Sequence, residues 1–316
     1  MKSIVPAWIV LLGLFLVPAA AWQMNQPYLL ETAARLVVFS VAALSLNFMI
    51  GYGGLVSLGH AMYLGLGAYT VGILMHHGVT NGFVQIALML VVTGLAAVIV
   101  GSIALRASGI FFIMITLALA QILYYSALSS RTYGGEEGLR MAGRSEFFKG
   151  FDLYDPYQFY ALCLVVLLFC LFLQWRLIGS PFGQVLISIR ENERRAKAIG
   201  YNTFAYKLAA MVIAGMMCGL AGFLLANLSE FVSPDYAYWH RSGELLVMVL
   251  LGGMGTLIGP VLGAVTFLGL EHWVAGMTKH WGLVIGPLLM IIVLTTHGGI
   301  MGLFEKAASM FRSKHK

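Results

Sequence analysis

An all-α, polytopic transmembrane bundle is the fold class this chain predicts, and three observations carry it. The 316 residues are 60% hydrophobic and only 10% charged, with a mean hydropathy of +0.87. The apolar residues fall into long runs almost free of charge, each close to the roughly 20 residues a helix needs to cross a bilayer. Glycine-rich interruptions cut the runs in both halves, so broken or re-entrant helices are expected there. Helices satisfy their own backbone hydrogen bonds in lipid. The alternating segments of about 10 residues that a membrane barrel needs do not occur. One membrane domain, 1–316, accounts for the sequence.

The expected spans are 4–21, 28–50, 59–77, 83–105, 108–128, 157–178, 207–229, a composite region 242–275, and 282–303. Lys2, the apolar run to Val17 and Pro18-Ala19-Ala20-Ala21 also fit a cleaved signal. A retained first span is preferred, because so many later spans make a cleaved signal unnecessary. Cys163, Cys170 and Cys218 lie inside spans without metal spacing and read as small packing residues.

Basic residues set the orientation. With the N-terminus inside, the inner face receives Lys2, Arg106, Arg176, Arg190, Arg194, Arg195, Lys197, Lys207, Lys306, Arg312, Lys314 and Lys316. The outer face receives Arg35, Arg131, Arg140, Arg144, Lys149, Arg241 and Lys279, with most of the acidic residues. The net charge of +6 follows from this bias and is no sign of nucleic-acid binding. Parity then requires region 242–275 to return to the face it left. Two short helices meeting at Gly252-Gly253-Met254-Gly255-Thr256-Leu257-Ile258-Gly259-Pro260, or a re-entrant pair, satisfy the count.

A matching break runs from Gly51 to His60, and glycines stand six apart in both, Gly53/Gly59 and Gly253/Gly259. Paired breaks of this kind point to a central pathway, while glycines at helical spacing also simply let helices pack closely. The path candidates are Gly53, Ser57, Gly59, His60, Gly253, Thr256 and Gly259. His60 serves equally well as a satisfied residue at a helix start.

Catalytic signals are missing: there is no GxxxxGK[ST] loop, no HExxH, no GxSxG and no paired intramembrane carboxylates. Neither a catalytic nor a metal site is expected, and His76-His77 reads as a solvated or headgroup-level pair. Glu31 and Arg35, at i and i+4, are expected to pair at the outer end of their span. Glu244 and Glu271 belong at the interface. The span centres hold no acidic residue, which counts against an ion-coupled carrier or channel, the alternative transport class. The outer loop 129–156 carries Gly134-Gly135-Glu136-Glu137, either a solvated turn or a docking surface.

The polar island 179–207, GSPFGQVLISIRENERRAKAIGYNTFAYK, stands apart from everything around it. Val185, Ile187, Ile189, Ala196 and Ile199 supply an apolar stripe among the charges, and Gly200 sits where a helix C-terminus takes a left-handed cap. A helix over Arg190–Ile199 is expected, lying on headgroups or inserting into a partner's groove. Glu191 and Glu193 among the cations favour the partner.

Several segments resemble the inner-membrane permeases of high-affinity branched-chain amino acid ABC importers, the M-type partner of an H/M pair. They are LSLNFMIGYGGLVSLGHAMYLGLGAYT (44–70), GIFFIMITLALAQ (109–121), GGEEGL (134–139), IRENERRAKAIGYNTFAYKLAAMVIAGMMCGLAG (189–222) and LLGGMGTLIGPVLGA (250–264), in order over most of the chain. The resemblance implies a multi-pass subunit of a bacterial inner membrane with both termini cytoplasmic. It also implies an H-type permease partner, two cytoplasmic ATPases and a periplasmic substrate-binding protein. ATP and magnesium would then belong to the partners, and this chain would need no cofactor. Arg190–Gly200 would be the ATPase-coupling segment, through Arg190, Glu193, Arg194, Arg195, Ala196 and Gly200. Gly134, Gly135, Glu136 and Glu137 would meet the binding protein. Related permeases carry urea, short amides and other amino acids, so the resemblance leaves the solute open.

Overall fold

The computed structural model describes residues 12–19, 21, 23, 28–148, 150–277, 280, 282–283, 286–287 and 298–302. Half of the expected first span 4–21 and most of the expected last span 282–303 therefore fall outside the described residues. Five helices among those described are long and apolar enough to cross a membrane, which makes this a multi-pass membrane protein. They are α1 (Tyr28–Asn47, prolonged by a π-turn Phe48–Tyr52), α3 (Gly82–Ala104), α4 (Ile110–Ser129), α5 (Pro156–Ile178) and α8 (Thr203–Ser229). Shorter helices complete the order: α2 (Ala61–His76), α6 (Pro181–Glu191), α7 (Glu193–Ala198), α9 (Trp239–Gly252) and α10 (Gly259–Ala275).

The polar residues between spans start the helices. The Asn81 side chain accepts from the amides of Phe83 and Val84, Asp155 from Tyr157, Ser180 from Gly183 and Asn202 from Ala205. Each satisfies an amide that a helix N-terminus leaves orphaned. Pro156 and Pro181 occupy first-turn positions, where their missing N–H costs nothing.

The centre of the bundle is α1, buried along most of its length and packed by α5, α8 and α10. The helix α8 closes against α2 and α3 through glycine. A methyl group on Gly222 would overlap the Leu64 carbonyl, and one on Gly219 would press on Thr93 and the Met89 sulfur. In lipid, where apolar contact alone gives little drive, such backbone approach is a main source of helix association. In contrast, α4 turns Ile110, Phe111, Met114, Ile122 and Tyr125 outward, as a surface meeting lipid or another apolar helix does.

Region 242–275 is a re-entrant hairpin. At about 1.5 Å per residue, α9 and α10 are about 21 and 26 Å long, short of the roughly 30 Å hydrocarbon core. They run antiparallel with glycine at the contact: a methyl on Gly263 would overlap the Met248 carbonyl, and one on Gly252 the Gly259 carbonyl. Their far ends share one face, so the charges of Glu244 and Glu271 influence each other. The first-half break has another form. After the π-turn the chain leaves helix at Gly54 (φ +68°) and resumes at Ala61, beside the middle of α8, where Cys218 Sγ donates to the His60 carbonyl.

Loop 129–156 is folded rather than merely solvated. Leu139–Arg140 (β1) pairs antiparallel with Phe231–Val232 (β2). Arg144 donates to Glu230 at 2.8 Å and to the Leu153 carbonyl at 2.6 Å, with its guanidinium over the rings of Tyr154 and Phe159. Ser145 bonds Gln85 and Asn227, which ties the loop to α3 and α8.

The interlock of α2 and α8 gives a direct test. Gly222→Ala, which forces a methyl into a backbone contact, should destabilise the protein by about 1–3 kcal/mol. Gly269→Ala, whose added methyl meets nothing within 4 Å, should not. Thermal aggregation midpoints of the two variants in detergent check the difference.

Candidate functional site

The two glycine-rich breaks meet in space. Asn47, the last residue of α1 and fully buried, points its side-chain amide at the second break. Its Oδ1 accepts from the Gly255 amide at 2.8 Å and its Nδ2 donates to the Thr256 carbonyl at 2.9 Å. Gly51, one turn on, lies so close to Gly255 that a Cβ there would come within 2.6 Å of the Gly255 nitrogen. The second break is knitted within itself as well. Thr256 Oγ1 donates to the Gly253 carbonyl at 2.7 Å and accepts from the Gly259 amide at 3.1 Å. Gly253 (φ +118°) and Gly255 (φ +77°) hold backbone shapes that a side chain would strain.

The polar island sits against this seam. Leu186 and Arg190, on one face of α6, both reach the first break. Leu186 packs beside Gly53, the Arg190 stem covers Gly54, and Arg190 Nη1 donates to the Gly51 carbonyl. The same nitrogen lies about 3.5 Å from where a Cβ of Gly255 would be. Arg190 thus spans both breaks, a role its place in a charged run does not suggest.

The expected single helix over Arg190–Ile199 is two helices. Asn192 is extended (φ −156°, ψ 95°); it ends α6 and caps α7 by accepting from the Arg195 amide. Arg190 belongs to the first helix, and Glu193, Arg194, Arg195 and Ala196 belong to the second. Val185, Ile189 and Ala196 are buried together with Tyr206 half-buried against them, and Leu186 joins the main core, because helical rather than alternate spacing selects Leu186 over Ile187. Ile199 is 69% exposed and joins neither. Gly200 (φ +101°) closes α7 as expected: its amide bonds the Lys197 carbonyl, and that of Tyr201 bonds the Ala196 carbonyl.

Glu193 faces back toward the bundle. Lys207 reaches it at 2.5 Å, Lys197 at 3.0 Å and the Thr203 hydroxyl at 3.2 Å. Burial alone would raise its pKa, but the hydrogen bonds and charges of Lys207 and Lys197 outweigh burial and lower it to about 2. Arg194 and Arg195 remain exposed, with Ile199 and Tyr201 alongside.

The other path candidates lie within the protomer. Ser57 is buried, its hydroxyl accepting from the Gly59 amide, and Gly59 presses on the Thr116 carbonyl. His60 is wholly enclosed: Nε2 meets Ser45 Oγ at 2.8 Å, while Nδ1 and the Tyr63 hydroxyl have no protein partner. At the opposite end, an open cleft of about 370 Å³ is lined by Glu31, Arg35, Tyr236 and Arg241 among others. The expected Glu31–Arg35 pair does not form. Arg35 lies over the Phe39 ring and senses Glu271, while Arg241 bonds Glu244 at 2.7 Å. The histidines His76 and His77 both pack on Tyr133 of the outer loop. In that loop Gly134 (φ +93°) and Gly135 form the turn that leaves Glu136 and Glu137 exposed. Among the described residues, no cluster of His, Cys, Asp and Glu could hold a metal ion.

Five spans among the described residues, a re-entrant hairpin, and two breaks joined beneath a polar loop define a class: the membrane-embedded subunit of a transporter. The family profile of permease components of branched-chain amino acid transport systems matches residues 28–294, and the chain belongs to that family. It is 27% identical to the high-affinity branched-chain amino acid transport system permease protein LivM of Salmonella typhimurium, over 90% of this chain and 73% of the relative. The Escherichia coli protein of the same name is 26% identical with the same coverage. The fructose import permease protein FrcC of Rhizobium meliloti is 27% identical over 56% of this chain and 51% of its own length. No solved structure matches the chain.

Two outcomes follow from this geometry. Replacing Asn47 by Leu strands the Gly255 amide and the Thr256 carbonyl, and should lower stability by about 2 kcal/mol, read as a fall in the thermal midpoint. For Glu193, the folded pKa of about 2 lies below the ordinary 4.5. The tie is therefore complete above pH 4.5 and is lost as pH falls toward 2. Amide exchange across Glu193–Ala198, corrected for intrinsic rate, should be level from pH 8 to pH 5 and rise only in stronger acid.

Proposed function

We propose that this chain is one of two permease subunits of an ABC importer that carries branched-chain or related amino acids into a bacterial cell. It sits in the inner membrane with its termini in the cytoplasm, pairs with an H-type permease, and works by ATP-driven alternating access. Two cytoplasmic ATPases bind ATP and magnesium, and a periplasmic binding protein delivers the solute. The observation that carries this reading is the contact between the polar island and the seam. A loop that touches both breaks of the membrane domain is where an external motor would act on the pathway.

The ATPase meets the face of α7 that remains free, Arg194 and Arg195 flanked by Ile199 and Tyr201. Glu193 and Ala196 face inward and set the pose of that helix, and Gly200 ends it. On the other side, Glu136 and Glu137 project from a loop fixed to α3 and α8, a footing firm enough to receive the binding protein. The solute assignment rests on relatives that align over 90% of this chain. A fructose permease shares only half of it, so one scaffold serves chemically unrelated solutes.

Uptake of labelled leucine into vesicles holding the complete complex, with and without internal ATP, tests the reading. Uptake should require ATP, and Arg194→Glu with Arg195→Glu should abolish ATPase copurification while membrane insertion stays normal. Uptake driven by an ion gradient alone would overturn it.

A further inference from the structure

We infer that Arg190 is a positioning residue that transmits movement of the polar island to the pathway, by holding the two breaks in one arrangement relative to α6. The inference rests on the proposed ATP-driven reading and goes beyond it, since that reading places the motor on α7 and leaves open how force travels inward.

The geometry separates Arg190 from its charged neighbours. It lies in the last turn of α6, ahead of the extended residue Asn192, so it belongs to a different rigid element from Arg194 and Arg195. The adjoining face of α6 is anchored by Val185 and Ile189, which pack with Ala196 of α7 and Tyr206 of α8. Displacing α7 therefore displaces α6. The guanidinium donates to the Gly51 carbonyl and lies beside Gly255, and the stem lies on Gly54. A carbonyl in the last turn before a break has lost its place in the helical ladder, and a cation is a strong donor for it. Among the described residues Arg190 has no salt bridge, unlike Lys197 and Lys207, which Glu193 engages. With no carboxylate competing for it, its strong hydrogen bond is to the pathway backbone. The planar fork presents several donors in a fixed plane, so one side chain can keep Gly51 and Gly255 in register, where an ammonium offers only a point contact. A shift of α6 would either carry the breaks along or break this bond, which is what a transmitting contact requires.

The test uses the complete complex in vesicles, with uptake and ATP hydrolysis measured in the same preparation. Arg190→Gln should copurify with the ATPases and hydrolyse ATP within about twofold of the parent, while solute moved per ATP falls about tenfold, the size of a typical coupling term. Arg190→Lys should recover part of that ratio. Arg106→Gln, at an exposed arginine just after α3 whose side chain donates to the Ser102 carbonyl, should leave solute per ATP unchanged. An unchanged ratio in Arg190→Gln overturns the inference, as does an equal fall in hydrolysis and uptake, which marks a residue needed only for folding or docking. If Arg190→Gln fails to insert, Arg190→Lys decides alone: a lowered ratio with normal hydrolysis supports the inference, and a normal ratio overturns it. Parent uptake that ignores ATP would instead sink the underlying reading, a distinct result.

Discussion

The buried amide of Asn47 is the interaction on which the rest of this architecture depends. A chain that stops being helical inside a membrane leaves backbone donors and acceptors with no water to meet them, each costing several kcal/mol. The second break solves this by borrowing a side chain from the end of α1, which supplies one donor and one acceptor at once. Thr256 supplies another pair from within. Because the borrowed group comes from the first half of the chain, the solution also locks the halves together at their least regular points. The close approach of Gly51 to Gly255 follows, and so does the need for glycine at both.

Around that lock the bundle divides its labour. The contacts of α8 with α2 and α3 are backbone-close and glycine-lined, so these helices form a stiff wall. The outer loop is riveted to the same wall through Arg144, Ser145 and Asn227. The polar island is attached differently, by one arginine, one ion-paired glutamate, Leu186 and a small apolar cluster. Interactions of that strength can be rearranged by a partner, whereas the wall cannot without unfolding.

Much of this was legible in residue order. Long apolar runs announced the spans, since crossing a bilayer demands length and hydropathy together. Glycine and proline marked both breaks, and the count of crossings required a hairpin at 242–275. Gly200 was readable as a cap because so few positions tolerate a positive φ. The parts that escaped depend on tertiary neighbours. One asparagine in an apolar run has no local pattern, so nothing marked Asn47 as the link between the breaks. Arg190 is exposed like its charged neighbours, and the one-residue extension at Asn192 that sets it on a separate helix is invisible to periodicity. Glu31 and Arg35 had suitable spacing for a pair, but Phe39 and Glu271 offered the guanidinium other company.

The hairpin α9–α10 carries a mechanical consequence. Gly252 against Gly259, and Gly263 against the Met248 carbonyl, leave no side chain between the two backbones that could change rotamer and let them slide. These contacts make the pair one stiff blade, held at its tip by Asn47. Were a passage to open beside it, as the proposed transport cycle requires, the whole blade would have to swing, and the aperture would be gated in a single step rather than widened by degrees.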